Sequence, residues 1–196
     1  MSDTNPTTLH DPMASRRSPR SFSERPIGDT DLQALFEAAR WAPSCFNEQP
    51  WRFMVARRAD GEAFAGLLAC LVEQNQAWAK EAQALVLSLA VEQFKLDGRP
   101  NRWAQYDVGQ AMAQLVLEAQ CRGISAHQMG GFSVDKVREL YALPATVTPM
   151  AVMALGYAAP VASLDGEARD FEVAPRRRQP QSEFVFSTRF DQAAKF

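Results

Sequence analysis

The segment from Trp41 to Trp51 concentrates residue types that can hold a flat ligand with polar edges. Its two prolines fix the backbone φ angle, and its Ser and Asn side chains donate and accept hydrogen bonds. Each of its two tryptophans offers a flat apolar face and one N–H donor. The same residues are also ordinary in a rigid turn between a helix and a strand, so this segment alone leaves both interpretations open.

Arginines form two clusters that lie far apart in the sequence. Residues 16–20 contain Arg16, Arg17 and Arg20, and residues 176–178 are three consecutive arginines. Guanidinium groups and nearby serine hydroxyls are good partners for a phosphate. A solvated basic turn is the alternative for the first cluster, and it is the commoner fate of such a run.

Size and composition indicate one globular domain. The chain has 196 residues, of which 46% are hydrophobic and 22% are charged, so it can bury a sizeable core. Its formal net charge of -2 argues against a nucleic-acid or membrane-surface binder, because such binding needs a basic surface. We therefore expect small-molecule partners or a second copy of the chain.

The cysteines and the N-terminal residues indicate the cellular compartment of the protein. Cys45, Cys70 and Cys121 are an odd number with wide spacings that match neither a disulfide framework nor a zinc pattern. Residues 1–12 are polar, with no apolar signal core, and no stretch reaches 18 consecutive apolar residues. The sequence predicts a cytoplasmic protein without a metal site, and a loosely ordered lead-in over residues 1–12.

Hydrophobic periodicity predicts helices alternating with about four strands. The predicted helices are one capped by Asp29–Asp31, one over 61–74, a long one that stops at Gly123, and one capped by Ser133. The predicted strands cover 51–56, 84–90, a short stretch from Ile124 and 150–155. Asn75 is placed in a polar break, and Asp165 and Gly166 in a polar segment.

The C-terminal stretch carries Phe184, Phe186 and Phe190. An exposed apolar tail is a liability for a monomer, so we expect residues 182–196 to pack on another surface, such as that of a second subunit.

Three of these motifs together resemble the FMN-dependent nitroreductase family. Arg16–Phe22 resembles its R-x-S-x-R/K-x-F phosphate motif, and Pro43–Trp51 resembles its P-S-x-x-N-x-Q-P-W flavin loop. Arg176 and Arg178 resemble its late basic pair. The resemblance implies an α+β fold, with a mainly antiparallel central sheet flanked by helices, in a single domain over 1–196. It also implies an intertwined homodimer with FMN at the subunit interface.

The resemblance assigns expected FMN contacts to four groups of residues. The phosphate would be held by Arg16, Arg17, Ser18, Arg20, Arg176 and Arg178. The flavin would contact Pro43, Ser44, Cys45 and Asn47 from the partner subunit, Asn75 at its pyrimidine edge, and the main chain of Met129, Gly130 and Gly131 near N5. Many members carry a glutamate where Gly130 stands, so a side-chain role there is not expected.

The implied activity is a ping-pong transfer. NADH or NADPH gives a hydride to FMN, and a nitroaromatic, quinone or similar electron-poor acceptor then takes the electrons. We expect no catalytic acid–base side chain, and we interpret His10 as a tail residue and His127 as a satisfied strand-end residue. Two alternatives remain: a same-fold enzyme acting on an activated alkene, a carbon–halogen bond or the flavin itself, and a flavin-binding protein without turnover.

Overall fold

The computed structural model describes residues 9–163 and 166–195. Residues 1–8, most of the predicted lead-in, therefore lie outside the described part, as does Asp165.

Four strands form one antiparallel sheet in the described residues. They are β1 (Trp51–Arg57), β2 (Ala84–Val91), β3 (Ser125–Met129) and β4 (Val147–Gly156). Their order across the sheet is β1-β2-β4-β3, and every neighbouring pair is antiparallel. The predicted α+β class with an antiparallel sheet is confirmed, and each predicted strand is present.

Strand β2 is buried on both faces, as its unbroken apolar run predicts. Successive side chains point to opposite sides of a sheet. Val86 and Ala90 pack in one core cluster, whereas Leu85 and Leu87 pack in the other. The sheet is therefore the middle layer of the molecule, covered by helices on each side.

The pairing of β2 with β4 contains a bulge at Met150, next to Pro149. Ser88 pairs with Ala151, whereas Leu89 pairs with Pro149, so Met150 is passed over. The buried Ser88 hydroxyl donates to the Ala151 oxygen at 3.1 Å and accepts from its N–H at 3.2 Å. These side-chain bonds satisfy the Ala151 main chain where the bulge interrupts the ladder.

Helices flank the sheet on both sides. They are α1 (Asp11–Ser15), α2 (Asp29–Arg40), α3 (Glu62–Ala69), α4 (Glu73–Ala79), α5 (Ala104–Cys121), α6 (Val134–Leu140) and α7 (Gly166–Val173). Helices α2 and α5 pack on one face, and α3, α4 and α6 on the other. No helix in the described ranges has the length and apolar composition that crossing a bilayer requires.

The prediction of one helix over 61–74 is wrong. Helix α3 ends at Ala69 and α4 begins at Glu73, so Asn75 lies inside a helix and not in a polar break. Between them Leu71 bridges to Phe132, and the Val72 N–H donates to the Gly131 oxygen at 3.0 Å. Tertiary pairing with the glycine turn therefore overrides the helical periodicity of this stretch.

Three further boundaries differ from prediction. Helix α2 begins at Asp29 after Gly28, without the predicted side-chain cap, and the Asp29 carboxylate instead pairs with Arg57. Helix α1 starts inside the predicted lead-in at Asp11, with Pro12 in its first turn, where its missing N–H costs nothing. Helix α7 occupies part of the segment predicted only as polar.

The C-terminal segment folds back on itself. A short 3-10 turn over Gln181–Glu183 is followed by a bridge between Phe186 and Ala193, and the Phe186 and Phe190 rings lie 5.1 Å apart. Phe184 and Phe190 stay exposed. The packing of this tail on a partner stays a prediction.

Candidate functional site

The structure brings the two arginine clusters together in one cleft of about 260 Å³. Arg176 joins the two segments, since its guanidinium donates to the main-chain oxygens of Arg16 at 2.8 Å and Ala14 at 2.5 Å. The predicted phosphate residues that line the cleft are Arg16, Arg17, Ser18, Arg20, Arg176 and Arg178. Both ends of the sequence thus contribute to one basic surface, and its phosphate ligand stays a prediction.

The electrostatics of this cleft favour an anion. Burial, and then repulsion from Arg178 and Arg176, lowers the pKa of Arg16 below its ordinary value. Arg16 also donates to Ser18 Oγ at 3.1 Å. Because an anion relieves repulsion among like charges and accepts several charge-assisted hydrogen bonds, the donor set fits a phosphate.

Helix α7, which the sequence pattern did not predict, forms one wall of the cleft. The Arg20 guanidinium lies 5.0 Å from the Phe171 ring centre and 6.0 Å from that of Trp78, within cation–π range. The Glu172 carboxylate accepts from the Arg20 main-chain N–H at 3.2 Å. These contacts fix the cationic side chain and the backbone of the same residue.

A second cleft of about 410 Å³ shares Arg16 and Ser18 with the first. Its other walls come from α5 and β3, and they are lined by Ala113, Val116, Leu117, Ala126 and Gln128. This space, which has both polar and apolar walls, continues from the arginine cluster along the C-terminal half of α5. The arrangement suits a ligand with an anionic end and a flatter apolar body.

His127 on β3 supports the backbone of the first arginine cluster. Its Nδ1 lies 3.0 Å from the Pro19 oxygen, so the ring carries its proton on Nδ1, and it packs on Trp78 with ring centres 4.5 Å apart. The prediction of a satisfied histidine is confirmed. Burial lowers the pKa of His127 below 6.5, and repulsion from Arg20 acts in the same direction.

The lowered pKa of His127 predicts that acid destabilises the fold. Below about pH 6.5 His127 is protonated in the unfolded chain but stays neutral in the folded one. The free energy of unfolding should therefore decrease as the pH falls from there to the folded pKa of His127. Urea unfolding of the FMN-free protein between pH 7.5 and 5 measures this slope. His127→Gln should flatten it, and an equal slope in both proteins would contradict the prediction.

The glycine turn after β3 lies against α4. The Asn75 Nδ2 donates to the Gly131 oxygen at 3.1 Å. Neither Gly130 nor Gly131 adopts a positive φ, so the turn is not a left-handed one. The structure thus joins two of the predicted flavin contacts, whereas Met129 is buried, with the residue as a whole only 3% exposed.

Gly131 lets the turn lie close to Val72 and Asn75, which predicts that a larger residue there destabilises the fold. Gly130 beside it provides the control. A Cβ there would lie 2.8 Å from Asn75 Nδ2 and 3.0 Å from Val72 Cγ2, whereas a Cβ at Gly130 meets nothing within 4 Å. Gly131→Ala should lower the free energy of unfolding by about 1–3 kcal/mol, the usual cost of overpacking. Gly130→Ala should change it little. Equal urea midpoints for the two variants would refute the assignment.

The flavin-loop motif forms a strained turn. Cys45–Asn47 is a 3-10 turn, and Phe46, Asn47 and Gln49 all have φ values between 52° and 56°. A non-glycine residue in this region costs roughly 1–2 kcal/mol, so surrounding contacts must hold the turn. One such contact is the Gln49 N–H, which donates to Ser44 Oγ at 3.0 Å. Phe46 is 83% exposed at the tip.

Within one chain the loop lies at the N-terminal end of α5, whereas the second cleft runs along its C-terminal half. The Cys45 N–H bonds to Asp107 in the first turn of α5, whereas the second cleft is lined by Leu117. Ten residues of α-helix separate these positions by about 15 Å. The structure therefore brings the predicted phosphate residues together, and separately Asn75 with the glycine turn, whereas none of Pro43–Asn47 lines either cleft.

Two residues of this region were not singled out from the sequence: Asp107 and Phe171. Only Asp107 carries a sequence signal. It falls in the buried phase of α5 with Val108 and Ala111, and a carboxylate at a core position implies a polar partner nearby.

Comparison with known proteins defines the class to which this fold and site belong. A family model, the Nitroreductase family, matches residues 13–157, and the chain therefore belongs to the nitroreductase family. A relative from Archaeoglobus fulgidus, named provisionally NADH dehydrogenase/NAD(P)H nitroreductase, is 32% identical over 152 residues that cover 72% of this chain and 80% of the relative. A Thermus thermophilus protein named NADH dehydrogenase is 29% identical over 172 residues, covering 74% and 83%.

Solved structures agree with this assignment. The chain is similar to an oxidoreductase containing FMN, with 32% identity, a TM-score of 0.88 and coverage of 93% of this chain and 92% of that one. It shares the fold of a nitroreductase from Exiguobacterium sibiricum solved in complex with FMN, at 20% identity and a TM-score of 0.74, covering 90% and 95%.

Proposed function

We propose that this protein is an FMN-dependent NAD(P)H oxidoreductase that reduces nitroaromatic, quinone or similar electron-poor acceptors. The observation that carries the proposal is the convergence of Arg16, Arg20 and Arg178, from both ends of the sequence, on one cleft. The FMN in a solved oxidoreductase that is 32% identical to this chain, and the names of the relatives, support the same cofactor and reductant.

The residues present fit FMN at both of its ends. The arginine cleft supplies guanidinium forks and a serine hydroxyl for a phosphate, and the second cleft supplies apolar walls from Val116 and Leu117 for the body of the cofactor. Bound FMN would supply the hydride chemistry, which no side chain of this chain can provide. The protein's own task is to orient the cofactor and to keep its ring against apolar walls.

The lining of the two clefts is consistent with chemistry carried by the cofactor. Among the described residues that line them, the titratable side chains are arginines and Glu172. Arginine stays protonated, and the Glu172 carboxylate is engaged by the Arg20 N–H, so neither is suited to general acid–base catalysis.

We further propose that the working unit is a homodimer with composite sites. One face of α5 is exposed and carries Tyr106, Gly109 and Ala113 in helical register. A two-fold axis crossing this face near Ala113 packs α5 against its copy in antiparallel orientation. Residues near Asp107 of the partner subunit then lie beside Leu117, and the partner's 43–47 loop reaches the second cleft.

The direct test is anaerobic reduction of the flavin. The purified protein should be yellow, and its flavin absorbance should bleach on addition of NADH or NADPH and return on addition of a quinone or nitroaromatic. A flavin that stays oxidised with both nucleotides would instead favour a binding protein without turnover. A preparation that binds no FMN would overturn the proposal.

Acceptors also separate the same-fold alternatives. Reoxidation of the reduced protein by an activated alkene or an aryl halide, but not by quinones and nitroaromatics, would move the activity to another bond. Loss of the isoalloxazine spectrum during aerobic turnover would indicate cleavage of the flavin itself.

A further inference from the structure

The carboxylate of Asp107 is buried directly beneath the strained flavin loop. The residue is 2% exposed, although it lies in the first turn of α5 among apolar neighbours. Its Oδ2 accepts from the Cys45 N–H at 3.0 Å, and its Oδ1 accepts from Gln110 Nε2 at 3.3 Å. A carboxylate buried at this depth needs such partners, and one of them is the loop backbone.

This bond replaces a cap that the loop does not make for itself. Ser44 is the N-cap residue of the turn Cys45–Asn47, but its side chain caps none of the turn's N–H groups. Its hydroxyl accepts from the Gln49 N–H instead. The first N–H of the turn, that of Cys45, therefore depends on Asp107 from another element.

The residues that follow Cys45 need an external anchor. Phe46 and Asn47 are both left-handed, a conformation that persists only where neighbouring structure imposes it. Asp107 holds one end of the turn, and Lys95 holds the other, since its N–H donates to the Glu48 carboxylate at 2.7 Å. The Gln110 amide also lies 3.5 Å from the Pro43 oxygen.

We infer that Asp107 is a positioning residue that caps the turn Cys45–Asn47 from α5 and so holds the flavin-binding loop in its strained conformation before the cofactor arrives. The inference rests on the proposed FMN site. Without the cap, FMN binding must also order the loop, and the free-energy cost of that ordering lowers the FMN affinity.

The test compares Asp107→Ala with Asp107→Asn. Asparagine keeps an acceptor for the Cys45 N–H, and its amide can donate to Gln110 once that side chain turns over. In FMN-free protein, exchange of the Cys45 amide should be at least about ten-fold faster in Asp107→Ala, near wild-type in Asp107→Asn, and unchanged at Leu87 in β2. In an FMN titration, Asp107→Ala should lose affinity about ten-fold or more, and Asp107→Asn should lose less than about three-fold.

Cys45→Pro tests the same bond from the loop side, should Asp107→Ala fail to fold. Proline removes the donor at the first position of the turn, and Ser44 already has the extended conformation that precedes a proline. Because Cys45 is also an expected flavin contact, Cys45→Pro should weaken FMN binding at least as much as Asp107→Ala. Wild-type exchange and FMN affinity in Asp107→Ala, or an asparagine variant no better than alanine, would overturn the inference. A wild-type protein without FMN affinity would overturn the proposed function. The exchange rate of the Cys45 amide would still show whether Asp107 caps the turn.

Discussion

Ala113→Arg should convert the protein into a monomer and remove FMN binding at micromolar concentration. Ala113 is exposed in the single chain, so arginine there does not disturb the fold, but it also lines the second cleft, so the loss of FMN alone does not report on the dimer. In the proposed dimer the same position lies at the two-fold contact of α5, where a buried unpaired charge and its copy cost several kcal/mol. A cost of about 4 kcal/mol raises the dissociation constant of the dimer roughly a thousand-fold. Light scattering with flavin absorbance measures both effects together.

Gly109→Leu separates the dimer contact from any effect inside the chain. A Cβ at Gly109 meets nothing within 4 Å, and leucine is a better helix former than glycine by up to about 1 kcal/mol. The isolated chain should therefore become no less stable, while the close approach of two α5 helices is blocked. A monomer with normal or raised thermal stability and without bound FMN is the expected result.

Ala65→Arg is the matched control for both variants. Ala65 is an exposed helical alanine on α3, which packs on the opposite face of the sheet from α5. It should leave the dimer and its flavin intact. If Ala65→Arg gives a monomer and Ala113→Arg a dimer, the subunits meet through the other layer, and the composite site on α5 is wrong.

The sheet was predictable because each strand carries its own pattern. The apolar run of β2 indicates a strand covered on two faces, and its alternate residues do enter two different cores. The break between α3 and α4 was not predictable, since Leu71 and Val72 continue a helical pattern. Their pairing with Phe132 and Gly131, about 60 residues later in the chain, overrides it.

The candidate site divides in the same way. The motifs around Arg16 and Arg178 indicate a phosphate site because charge and spacing are visible in the sequence. The wall from Phe171 was missed because α7 lies in a segment with weak apolar periodicity. Asp107 was missed because its importance depends on one contact with Cys45, which is 62 residues away. Local patterns indicate which groups are present, whereas long-range contacts decide which of them meet.

Arg16→Ala combined with Arg178→Ala should reduce FMN affinity by two orders of magnitude or more. A hydrogen bond to a charged group contributes about 1.5–3 kcal/mol, so each single variant should lose roughly ten-fold or more. The repulsion that lowers the pKa of Arg16 involves Arg178, so the two losses are coupled and need not add. Fluorescence titration with FMN at fixed salt measures the affinities, since added salt screens these contacts.

The neighbouring Arg177→Ala supplies the control for charge alone. Arg177 stands between Arg176 and Arg178 in sequence but does not line the arginine cleft, and all three side chains are exposed. Its removal changes the net charge by the same amount as either single variant. FMN affinity should then fall less than about two-fold, because an exposed charge that does not line the cleft is screened by solvent and salt. Equal losses for Arg177→Ala and Arg178→Ala would show that general positive potential, and not this cleft, attracts the phosphate.

Riboflavin, which lacks the phosphate, gives the complementary measurement. Its binding is weaker and should be nearly the same in the wild-type and doubly substituted proteins, because the arginines contribute only through the phosphate that riboflavin does not have.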